Sequence, residues 1–123
     1  MTPTEIALHQ KSRLLELTWP DGAVHQLPCE LLRVYSPSAE VRGHGRGQET
    51  LQLGKEQVNI TALDPVGHYA VKITFDDGHD SGLFDWGYLR DLGENKAEHW
   101  ADYLRRCDAA GHVRQTTEQS NQS

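Results

Sequence analysis

The 123-residue chain predicts an α+β fold, a small single domain on one antiparallel β-sheet of five to six strands with two to three short helices. Three observations predict it. Apolar and polar residues alternate through 15–19 and 71–75, as half-buried strands require. An Asp-Gly pair follows each stretch, at Asp21-Gly22 and Asp77-Gly78, and marks a hairpin turn. In the last third the apolar spacing changes to the period of a helix.

In the first strand, Leu15, Leu17 and Trp19 share one face and Glu16 and Thr18 the other. Pro20-Asp21-Gly22 turns the chain, because proline presets φ and glycine accepts a positive one, and Val24 to Leu27 form the returning arm. Pro28 suits the first turn of a helix, where its missing N–H costs nothing. A brief helix is expected from Pro28 to Val34, with Leu31 and Leu32 as its apolar face.

Gly54-Lys55 reads as a turn before the next strand, which places Val58, Ile60 and Ala62 on one side. Asp64-Pro65-Val66-Gly67 is the expected connection to a strand with Val71, Ile73 and Phe75 inward. The second Asp-Gly bends into "HDSGLF". Asp85 can cap the helix "WGYLRDL" by accepting from an unpaired first-turn amide, and Gly93 can end it. The last helix, Glu94 to Ala109, lines up Ala97, Trp100, Leu104 and Cys107 on one stripe, and Gly111 stops it. The domain is expected to span 1–110, with the polar, aperiodic 111–123 as a disordered tail.

Hydrophobic residues make up 37% of the chain and charged residues 24%, enough apolar surface for one modest core. A formal charge of −6 argues against a duplex nucleic-acid partner, which needs cations to replace phosphate counterions. No apolar run approaches the roughly 18 residues of a membrane span, and "MTPTEIALHQK" has neither a basic nor an apolar leader region. Cys29 and Cys107 stand far apart and outside any metal spacing. A cytoplasmic, reduced protein is therefore expected.

The seven histidines are scattered, and none is followed two residues later by an acid, as a facial-triad iron site requires. Ser36 or Ser38 with His79 suggests a hydrolase only loosely, because no nucleophile elbow surrounds either serine. Gly54-Lys55 lacks the upstream glycine of a phosphate-binding loop. The stretches "LTWPDGAVHQLPCELLR" and "ITFDDGHDSGLFDWGYLR" echo each other, as any hairpin followed by a helix does.

"ELTWPDG", "CELLRVYSPSAEVRGHG" and "FDDGHDSGLFDWGYLRDL" together resemble the gamma-butyrobetaine-hydroxylase-like N-terminal domain family, over about residues 5 to 108. The resemblance implies a compact α+β domain. In carnitine-biosynthesis hydroxylases such a module precedes a catalytic barrel, and other members are joined to iron–sulfur carrier ATPases. It also implies a zinc site of three cysteines and one histidine. Those ligand positions fall here on Ser36, Ser38, Val41 and His79. A hydroxyl stays protonated near neutral pH and valine offers no lone pair, so zinc is expected to be absent.

Two roles are then open to the 36–47 loop. Ser36 and Ser38 can hold by hydrogen bonds the bend that thiolates hold in the relatives. Alternatively Arg33, Arg42 and Arg46, around Glu40 and among glycines, make a locally positive loop for a protein partner. Trp86 and Tyr88 fit core packing or the lining of a small pocket. The expected function is a non-catalytic accessory or protein-binding module, tied by the resemblance to iron–sulfur protein assembly or an oxygenase. Its candidate binding residues are Arg33, Tyr35, Ser36, Ser38, Arg42, His44, Arg46, His79 and Trp86. The alternative is a metal-binding domain or small metal-dependent enzyme that uses His79 and the Ser36/Ser38 loop; a separate weak metal site would draw on His44, His79 and nearby oxygens.

Overall fold

Leu15, Leu17 and Trp19 are inward and wholly buried, and the strand they define is the centre of a three-stranded antiparallel sheet. Its members are β1 (Glu5–His9), β2 (Leu14–Thr18) and β3 (Val24–Pro28). The computed structural model describes residues 1–38, 41 and 50–114. The Pro20-Asp21-Gly22 turn forms as expected, with Gly22 at φ +90° and its N–H donating to the Trp19 carbonyl at 3.0 Å. β1 was not among the expected strands. Its sequence EIALH lacks a clean polar-apolar alternation, and only pairing with β2 makes it a strand.

The helix α1 (Cys29–Val34) follows β3 directly, with Pro28 at its N-cap. All six of its residues are buried, Glu30 and Arg33 included. The chain then crosses to a second antiparallel sheet of β4 (Ile60–Val66), β5 (Ala70–Phe75) and β6 (Leu83–Asp85), in that order. One sheet of five to six strands was expected, and among the described residues there are two of three strands. β3 leads into α1, and β4 pairs with β5 in the second sheet. Side chains span the gap instead: Gln10 Nε2 donates to the Ile60 carbonyl at 3.0 Å, and Asn59 Nδ2 donates to the Gln10 carbonyl at 2.8 Å. Leu15, Leu17 and Leu27 of the first sheet share one core with Ile60, Ile73, Phe75 and Phe84 of the second.

Two details of the second sheet differ from expectation. The β4–β5 turn falls at residues 67–69, and Pro65 and Val66 stay in the strand, opposite Val71 and Ala70. β4 is an edge strand, where a proline without an N–H breaks no ladder bond. A bulge between Ile60 and Ala62 sets both Thr61 and Ala62 against Thr74. Past it Leu63 pairs with Ile73 and packs on the core, so Leu63 takes the inward place expected for Ala62.

Helix α2 (Trp86–Glu94) begins at Asp85, whose carboxylate accepts from the Tyr88 N–H at 2.7 Å, the expected cap. Gly93 does not end it. The helix runs through Glu94, and a Cβ on Gly93 would lie 2.3 Å from the His25 ring nitrogen, so glycine here permits close packing on β3. Arg90 clasps Asp21 with two nitrogens and lies 5.4 Å from the centre of the Trp19 ring, which fixes α2 on the first hairpin. Helix α3 (Lys96–Ala109) follows after Asn95. Tyr103 and Cys107 are its buried residues, with Trp100 half-buried beside them. Ala97 and Leu104, placed on the stripe by spacing alone, are exposed. Among the described residues no helix is long and apolar enough to cross a membrane.

Candidate functional site

The end of α1 and the turn after β5 converge on one buried knot. Tyr35, just past α1, is held at both ends: its hydroxyl donates to the His99 carbonyl at 2.8 Å, and its own carbonyl accepts from the Tyr88 hydroxyl at 2.5 Å. This anchorage to α2 and α3 fixes where Ser36, Pro37 and Ser38 begin. On the other side, Gly78 N–H donates to the Phe75 carbonyl at 3.0 Å, and Phe75 N–H donates to the His79 carbonyl at 2.9 Å. The Asp77 side chain accepts from the His79 N–H at 3.1 Å and shapes the turn as aspartate does in an Asx motif.

These two turns bring Ser36 and Ser38 onto one imidazole. Ser36 Oγ is 2.8 Å from His79 Nε2, and Ser38 Oγ is 3.4 Å from the same nitrogen. Ser36, Ser38 and His79 are exposed by only 1%, 4% and 8%, and Val41 by 5%. Gly82 forms the floor. A Cβ there would stand 2.2 Å from Ser36 Oγ and 3.2 Å from Pro37 Cδ, so the serine turn rests directly on bare backbone. Buried hydroxyls and imidazole nitrogens need partners, and here they partner one another.

Asp77 extends the knot toward the surface. Its Oδ2 is 2.9 Å from Arg33 Nε and 2.6 Å from Lys55 Nζ, while Arg33 also donates to Gln52 Oε1 at 3.2 Å. Burial pushes the Asp77 carboxyl up, but hydrogen bonds from Lys55, the His79 N–H and Arg33 outweigh it and hold it down at about 2. The carboxylate is therefore ionised at neutral pH and clamps α1, the 50–55 segment and the 76–80 turn together.

The donor set at Ser36, Ser38, Val41 and His79 does not fit zinc. Two neutral hydroxyls and an isopropyl group stand where the resemblance implied thiolates, and the imidazole nitrogen that faces the serines is engaged by Ser36. Among the described residues no group of three or more His, Cys, Asp or Glu side chains is arranged to hold a metal. Ser36 is 1% exposed, and Asp77 accepts from the backbone N–H of His79.

Of the predicted site residues, the fold gathers Arg33, Tyr35, Ser36, Ser38 and His79. Arg42, His44 and Arg46 lie outside the described residues. Trp86 sits elsewhere, its indole N–H donating to the His68 carbonyl at 2.9 Å while its ring packs on the core. Sequence reasoning missed Asp77, Lys55, Gln52 and Gly82. Asp77 was read only as a turn former, and nothing in the linear sequence announces that Gly82 lies under Ser36. It also missed a second polar cluster of Glu30, Glu56, His112 and Arg114.

The model of the family described as gamma-butyrobetaine hydroxylase-like, N-terminal, matches residues 6–90. Two proteins solved in solution by NMR are 49% and 50% identical to the chain, each with a TM-score of 0.79. The first alignment covers 92% of this chain and 89% of that one, the second 94% and 86%. A crystal structure of a protein of unknown function from Acidithiobacillus ferrooxidans, in the DUF971 family, is 41% identical over 75% of this chain and 92% of that one, with a TM-score of 0.64. No curated protein matches the chain. With the family pattern matched from the first sheet through the second and into helix α2, the chain belongs to the gamma-butyrobetaine hydroxylase-like N-terminal family.

Proposed function

We propose that the chain is a non-catalytic accessory module of the cytoplasm that binds a protein partner, in iron–sulfur protein assembly or an oxygenase system, and that it works without zinc. The observation that supports this reading is the hydrogen-bonded knot of Ser36, Ser38 and His79, at positions where the resemblance implies metal ligands. Hydroxyls close the turn against the imidazole and tie down the same two chain segments that a metal would tie. The scaffold is thereby kept while its ion becomes dispensable. The 36–47 loop, with Arg42 and Arg46, is the face offered to the partner.

Elemental analysis tests the metal half of the proposal. Chain purified from zinc-supplemented cells is expected to carry far less than one zinc per molecule, and near-stoichiometric zinc lost on His79→Ala overturns it. Ser36→Ala with Ser38→Ala is expected to lower unfolding stability by about 1–3 kcal/mol, the cost of stranding a buried polar group. The partner half is read by crosslinking in native cells. One crosslinked protein lost on reversing Arg42 and Arg46 to glutamate is expected, and an unchanged crosslink removes the loop from the interface.

A further inference from the structure

Past α3, Gly111 adopts φ +75° and redirects the chain, and His112 N–H donates to the Cys107 carbonyl at 3.0 Å. The stretch expected to open a disordered tail thus begins with ordered contacts. His112 Nε2 stands 3.1 Å from Glu56 Oε1. Arg114 reaches both carboxylate oxygens of Glu30, through Nε at 3.3 Å and through a second guanidinium nitrogen. The same guanidinium lies 4.9 Å from the centre of the Trp100 ring. Val113, between the two gripped residues, is 72% exposed.

Beside this arm is a cavity of about 350 Å³ whose walls include Arg13, Glu30, Glu56, Trp100 and Arg114. Both carboxylates are withdrawn from water, with the Glu30 side chain 9% and the Glu56 side chain 5% exposed. Anions at that depth are sustained by cations beside them. With the arm in place, Arg114 pairs with Glu30 and His112 faces Glu56. With the arm withdrawn, the Glu30 carboxylate loses its guanidinium next to the Trp100 ring. A carboxylate fork and a ring face are the two surfaces a planar guanidinium satisfies together, by paired hydrogen bonds and by stacking.

We propose that the Glu30 carboxylate and the Trp100 ring face beside this cavity form a guanidinium-binding site, occupied in the resting chain by its own Arg114 and open to an external guanidinium when the 112–114 arm lifts. The assignment does not rest on the accessory-module reading, since it uses neither the serine knot nor the 36–47 loop. The chemistry is shared by a free alkylguanidine and by an arginine side chain of a peptide.

The test uses the full chain carrying Arg114→Ala, titrated with agmatine, with a capped Ala-Arg-Ala peptide and with the same peptide bearing neutral citrulline. The readout is the Trp100 indole N–H resonance, assigned through Trp100→Phe. A saturable shift with agmatine or the arginine peptide and none with the citrulline peptide is expected. Peptide binding at least tenfold tighter than agmatine identifies an arginine side chain as the ligand, and the reverse order identifies a free alkylguanidine. The unsubstituted chain is expected to bind more weakly, because its own arm competes. Adding Glu30→Gln is expected to weaken binding about tenfold or more, as loss of a charge-assisted pair does. No saturable shift, equal binding of the citrulline peptide, or equal affinity in the unsubstituted chain overturns the proposal; the citrulline arm needs no second substitution, so it decides even if Glu30→Gln fails to fold.

Discussion

Asp77 shows how much one carboxylate can organise. It turns the chain after β5, receives the His79 N–H, and neutralises Arg33 and Lys55. Its carboxyl is held at about 2 against an ordinary 3.8, so the folded state binds the proton less readily than the unfolded state. The stabilisation is therefore complete above pH 4 and is lost as pH falls toward 2. Asp77→Asn is expected to cost about 2 kcal/mol at pH 7, chiefly by leaving the buried Arg33 unpaired, and to flatten the loss of stability between pH 4 and pH 2. Urea unfolding of both proteins at pH 7 and near pH 2.5 checks it; parallel pH dependence would contradict the assignment. The sequence yielded Asp77 only as half of an Asp-Gly turn, because local propensity reports φ and ψ and is silent on a partner 44 residues away. Ser36, Ser38 and His79 were legible as a set through the family pattern, while their direct hydrogen bonding depends on how two distant turns meet.

At the scale of elements, periodicity found what repeats and missed what interrupts. The strands with strict alternation, 15–19 and 71–75, are buried on the expected face. The strand with a bulge is not, since one extra residue moves every later side chain to the opposite face and places Leu63 inward instead of Ala62. In α3 the heptad-like stripe was drawn from apolar character and bypassed Tyr103. That ring packs with Val34 and Cys107, and its hydroxyl is satisfied by the Gln52 carbonyl at 2.6 Å, a partner outside the helix. Glycine was read as punctuation, yet Gly82 and Gly93 serve close approach. Gly82→Ala is expected to destabilise by about 1–3 kcal/mol, because the methyl must displace Ser36 from His79 in a packed interior. A melting midpoint within a degree of the parent would mean that the serine turn yields freely.

Across the whole molecule, the buried residues fall into a main cluster between the sheets and a smaller one of Val34, Tyr103 and Cys107, while the α+β class followed from the two periodicities. The number of sheets did not, because pairing between strands that are distant in sequence leaves no local trace. The contact between Glu30 in α1 and Arg114 beyond α3 was equally invisible. Burial raises the Glu30 carboxyl while Arg114 draws it back. Arg114→Ala is therefore expected to move Glu30 titration further up, read from its carboxyl carbon by NMR; a downward or absent movement would show that the arm does not govern this acid. The division into two sheets has a last consequence for motion. Since among the described residues the two sheets share no backbone ladder and are joined by side chains alone, by the carboxamides of Gln10 and Asn59, the Arg33–Asp77 pair and the common core, each sheet can open to its own extent. Deuterium should enter the amides of β2 and β5 with two distinct protection levels, and cutting the Gln10 stitch should loosen one seam without fraying the interior of the other.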